Sequence, residues 1–77
     1  MEHPGGISAV IPTSRMILFR ADADAVVVAL KPYGQLILGR TRMGPHTLRV
    51  DPARDFATTL TEVQAILHPL AERAHGQ

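Results

Sequence analysis

The chain has 77 residues, no cysteine and a formal net charge of +1 at pH 7. This length allows one domain, whose folding buries only about 60% of the surface its unfolded chain exposes; without cysteine, neither disulfides nor thiolate zinc sites can support so small a core. A charge so near zero gives no overall preference for nucleic acid or acidic membranes, and the longest unbroken apolar run, Ala25 to Leu30, is far too short to span a bilayer. Oligomerisation is the support left, so a homo-oligomer is expected. Met1-Glu2-His3-Pro4-Gly5-Gly6 has neither the basic region nor the apolar segment of a leader, which points to a cytoplasmic protein with no membrane contact.

In chain order, residues 1–13 hold Pro4, Gly5, Gly6 and Pro12. They are read as a flexible N-terminal segment or, over Gly6 to Ile11, a short edge strand. Residues 14–77 form a single α+β domain. Ser14 to Arg20, with Met16, Ile17, Leu18 and Phe19 all apolar, reads as a strand partly covered on both faces. Asp22 and Asp24 suit a hairpin loop over Ala21 to Asp24, because their carboxylates accept bonds from neighbouring amides. Ala25 to Leu30 is six apolar residues with three valines, and is expected to be the central strand, buried on both sides.

Lys31-Pro32-Tyr33-Gly34 has the proline and glycine spacing of a type I turn. The strand expected over Gln35 to Arg42 sends Leu36, Leu38, Arg40 and Arg42 one way and Ile37, Gly39 and Thr41 the other. Met43 to His46 is a turn, and Thr47 to Val50 a last strand with Leu48 and Val50 inward. Asp51 as N-cap and Pro52 at the first helical position then open a helix. Phe56, Leu60, Val63, Leu67 and Leu70 recur at four, three, four and three residues, one apolar stripe running to about Arg73, with a kink or restart at Pro69. The expected fold is thus a four- or five-stranded antiparallel β-meander followed by one C-terminal amphipathic α-helix.

One helix covers one sheet face, yet the strands carry apolar residues on both. A second copy of the chain is the expected cover, with Ile7 to Ile11 as the competing one.

No glycine-flanked serine, paired carboxylates at a plausible catalytic spacing or phosphate-cradling glycine loop is present, Asp22 and Asp24 being read as turn formers, so no catalysis and no cofactor are expected. His68, Glu72 and His75 share a helical face at spacings a metal accepts, but Pro69 interrupts them; a solvated face is the reading, with no metal. His46, beside Pro45, has no evident partner. The charge bias lies between residues 31 and 54, where Lys31, Arg40, Arg42, Arg49 and Arg54 face a single acid, Asp51. With Tyr33 these five cations form the candidate partner- or phosphate-binding set. The expected function is a non-catalytic binding, assembly or regulatory module, a homodimer whose arginines meet acidic groups on a protein partner. A nucleic-acid binder using the same cations on phosphates, with Tyr33 stacking on a base, is the alternative.

Overall fold

A computed structural model describes residues 6–76, with side chains placed through Leu70. The fold is α+β. Its strands are β1 (Ile7–Ile11), β2 (Met16–Phe19), β3 (Gly34–Ile37) and β4 (His46–Val50), and its helices α1 (Ala23–Leu30) and α2 (Phe56–Gly76). The four strands form one antiparallel sheet in the order β1-β2-β4-β3.

The expected central strand is a helix instead. Ala25 to Leu30 belongs to α1, which Asp22 opens in an extended conformation, its carbonyl accepting the Val26 N–H at 3.1 Å. An unbroken apolar run gives no periodicity to separate strand from helix, and Ala23, Ala25, Ala29 and Leu30 favour the helix while Asp24 complements its positive end. Val26 and Leu30, four apart, turn into the core; Val27 and Val28 stay exposed, the latter 80% accessible.

That helix also overturns the meander. β2 and β3 both run antiparallel to β4, so they are parallel to each other with β4 inserted between, a split β-α-β unit in which α1 is the crossover. The strand expected over Gln35 to Arg42 stops at Ile37, and residues 38–45 make a connection containing the cis peptide Gly44–Pro45.

Both helices pack on the same sheet face. Ile17 and Phe19 of β2, Leu48 and Val50 of β4, Val26 and Leu30 of α1, and Val63 and Leu67 of α2 form one buried cluster, against which Phe56, Leu60 and Leu70 pack. The expected α2 stripe is therefore the one that is used, and burying each Leu or Val fully stabilises by about 1.5–3 kcal/mol. The helix starts later than expected. Asp51 instead closes a separate turn, its carboxylate accepting from Ala53 N at 2.9 Å, and Asp55 sits before α2, accepting from the Thr58 N–H at 2.9 Å and hydroxyl at 2.8 Å. Helix continues through Pro69, so no second helix begins there.

Arg15 links two chain segments at one end of the sheet. It takes a left-handed backbone, φ 56°, after the 3-10 turn Pro12–Ser14. Its guanidinium donates to the carbonyls of Val50, Asp51 and Arg54 and lies over the Phe56 ring. The β1–β2 turn is thus fastened to the connection that leads into α2.

Candidate functional site

Strand alternation and register give the composition of the second sheet face. Val10, Ile17, Leu48 and Leu36 align across the sheet toward the helices. The rows on either side of them point the other way: Ala9, Leu18, Thr47 and Ile37 in one, Ile11, Met16, Arg49 and Gln35 in the next. Among the described residues no helix lies over these rows. Ile37 and Ile11 are exposed there, and Ala9, Met16, Leu18 and Thr47 are half-buried. Arg49 is the one charged side chain in the two rows.

The five cations singled out in the sequence do not form one cluster. Arg40 and Arg42 fall in the 38–45 connection, where strand alternation no longer places them on a common face. Arg42 is used at the start of α1, donating to the carboxylates of Asp22 and, at 3.1 Å, Asp24. Arg54 lies over the Tyr33 ring, 4.5 Å from its centroid, and 4.0 Å from Glu62. Tyr33 therefore has one ring face occupied already. Arg15 and Arg20 are used as well, the latter donating to the Gly44 carbonyl at 3.2 Å.

Lys31, Arg40 and Arg49 form no ion pair or side-chain hydrogen bond among the described residues. Two of them, Lys31 and Arg49, line one shallow groove of about 390 Å³ at the end of the sheet, together with Pro32, Gly34, Gln35, Val50, Asp51 and Pro52. The Asp51 carboxylate is already bound to the Ala53 amide. The groove thus offers an ammonium, a guanidinium and the Gln35 amide as donors. Position explains this: Gln35 and Arg49 are cross-strand neighbours, and Lys31 comes from the 3-10 turn Lys31–Tyr33 that delivers the chain into β3.

His46 has the partners that its sequence neighbourhood does not reveal. It is fully buried on β4, and its Nδ1 accepts the Gly39 N–H at 2.9 Å. With Nδ1 accepting, the ring proton resides on Nε2, which faces the carbonyls of Ala21 at 3.0 Å and Arg42 at 3.1 Å. One imidazole so joins the start of α1 to both parts of the 38–45 connection.

Metal ligation finds no support in the described part. No group of three His, Asp or Glu residues is placed to hold an ion among the described residues, and the side chains of Glu72 and His75 lie outside them. No described helix is long and apolar enough to cross a membrane.

Two carboxylates have shifted acidities. The Arg42 hydrogen bond holds Asp22 below its ordinary value, and the Thr58 amide and hydroxyl do the same for Asp55. Below the ordinary value of 3.8 the unfolded chain binds these protons before the native one does. Their stabilisation is therefore complete above that pH and is lost as pH falls through the lower native values. Urea unfolding from pH 6 to 2 should show stability starting to fall near pH 4. An Asp22→Asn, Asp55→Asn variant should show a shallower fall, because asparagine keeps an oxygen for the Thr58 amide at position 55 and titrates at neither.

No family model, curated protein or solved structure matches the chain.

Proposed function

We propose that this protein is a non-catalytic assembly module that works as a homodimer through the uncovered face of its sheet. The observation that carries the reading is the pair of rows Ala9–Leu18–Thr47–Ile37 and Ile11–Met16–Arg49–Gln35. They are apolar over most of their extent, and both helices lie on the opposite side. A contiguous apolar surface on a small domain marks a contact surface. A second copy suits it because Arg49, in the row nearer the β1–β2 turn, is its sole charge, so two such faces meet about a two-fold axis with little repulsion. A chain of this size also gains from a partner the core volume that it lacks by itself.

Light scattering across a concentration series tests this directly. The expected mass is twice the 8.4 kDa of the chain. Leu18→Lys, which places a charge mid-face and away from the core, should return it to a single chain mass. A wild-type mass of one chain at all concentrations would overturn the dimer, and a Leu18→Lys dimer would overturn this face as its interface. A rise in mass with a single-stranded oligonucleotide, lost in Lys31→Ala, Arg49→Ala, would favour the nucleic-acid reading instead.

A further inference from the structure

The sheet has two open edges, β1 and β3, and they differ. The β1 edge is interrupted by a bulge between Ile7 and Ala9 and ends at Pro12, features that hinder strand addition. β3 is regular from Gly34 to Ile37.

Hydrogen-bond alternation shows which groups β3 presents. The Val50 N–H donates to the Arg15 carbonyl, toward β2, at 2.9 Å, while Asp51 N donates to the Tyr33 carbonyl at 3.0 Å. Val50 and Leu48 therefore bond toward β2, and Arg49 and Thr47 bond toward β3, to Gln35 and Ile37. The intervening residues of β3 are left facing outward. The Gly34 carbonyl and both the N–H and carbonyl of Leu36 point away from the sheet. At the same place lies the groove that Lys31, Gln35 and Arg49 line, where neither cation has an anionic partner.

We infer that the open edge of β3 takes up an extended acidic peptide segment of a partner protein. The segment adds as a fifth strand, exchanging backbone bonds with Leu36 and donating to the Gly34 carbonyl, while an aspartate or glutamate side chain reaches Lys31 and Arg49. Charge decides between occupants. A second copy of β3 would bring another Lys31 and Arg49, adding cations to a groove whose one carboxylate, Asp51, already accepts the Ala53 N–H. A nucleic-acid backbone would meet only three unpaired cations, with Asp51 beside two of them, and the Tyr33 ring already under Arg54. A short acidic strand matches both the donors and the edge. This surface shares Arg49 and Gln35 with one of the apolar rows, but the backbone edge of β3 lies outside them, and peptide capture does not require the dimer.

The test is fluorescence anisotropy with a labelled six-residue peptide of alternating valine and glutamate, run beside light scattering so that the oligomeric state is known in each sample. Three comparisons accompany it: the valine–lysine counterpart, the glutamate peptide N-methylated at alternate amides, and a labelled single-stranded oligonucleotide. The glutamate peptide should bind at least tenfold more tightly than either peptide control. Lys31→Glu, Arg49→Glu should invert the preference between glutamate and lysine peptides, an outcome that mere loss of folding does not give. Equal binding of the N-methylated peptide would overturn strand addition. Equal binding of the lysine peptide, or tighter binding of the oligonucleotide, would overturn the acidic partner. No binding by any peptide to protein with a wild-type unfolding curve would overturn the proposal outright, whatever the mass measurement says of the dimer.

Discussion

Replacing His46 with alanine should remove about 4 kcal/mol of stability, measured by urea unfolding, from a domain whose total at this length is about 4–12 kcal/mol. Two effects add. The ring is fully buried and makes an edge contact with Phe19 at 5.7 Å between centroids, so its removal leaves a cavity. It also strands the Gly39 N–H and takes a donor from the Ala21 and Arg42 carbonyls. The two amide variants separate these contributions. Asparagine can set an oxygen near Nδ1 and recover the Gly39 bond, whereas glutamine can set a nitrogen near Nε2 and recover the carbonyl side. Hydrogen exchange at the Gly39 amide should be fast in His46→Ala and His46→Gln and slower in His46→Asn. A His46→Ala protein within 1 kcal/mol of wild type would show that these bonds are replaced at no cost.

His46 also marks the boundary of what local sequence can reveal. The features that were legible depend on residues close along the chain: the α2 stripe Phe56 to Leu70 and the inward Leu48 and Val50, whereas the type I turn expected at Lys31–Gly34 is a 3-10 helix, Lys31–Tyr33, and the turn expected at Met43–His46 closes earlier, from Thr41 to Gly44. The rest depends on pairings across the chain. An all-apolar run such as Ala25 to Leu30 has no period, and Asp22 and Asp24 before it suit a turn as well as a helix start. Reading it as a strand makes spatial neighbours of sequence neighbours, and so produces a meander. The one helix in that place instead carries β3 across and leaves β4 between. The same crossover brings Gly39, Ala21 and Arg42 around His46.

The candidate site was legible in composition and illegible in geometry. Five cations within one stretch are visible, but Arg42 is used on Asp22 and Asp24, and Arg54 on Tyr33. Arg15, outside that stretch, holds the β4–α2 connection, and only its unusual φ in the folded chain points to it. The two-face argument fares differently, because it rests on alternation within each strand. Met16 and Leu18 against Ile17 and Phe19 already imply a second apolar face, whatever the strand order.

The second large effect is expected from Gly34→Ala. A β-carbon built on Gly34 would lie 2.1 Å from the Arg49 carbonyl oxygen and 2.8 Å from the Asp51 nitrogen. Both are backbone atoms of the strand that β3 pairs with and of the residue just after it, so no side chain can rotate away to make room. The contact is relieved only if β3 moves off β4, which weakens the bonds of Gln35 to Arg49 and Tyr33 to Asp51 and shifts Leu36 from its place against the core. The cost should be about 3 kcal/mol. Because the moving strand carries Gln35 and the walls of the groove, Gly34→Ala should also weaken capture of the glutamate peptide at least tenfold under conditions where the protein is still folded. Leu18→Lys alters the apolar face rather than this edge and should leave that capture unchanged. A Gly34→Ala protein with wild-type stability and wild-type peptide affinity would mean that β3 sits farther from β4 than this close approach requires, and the edge geometry that follows from the register would fall with it.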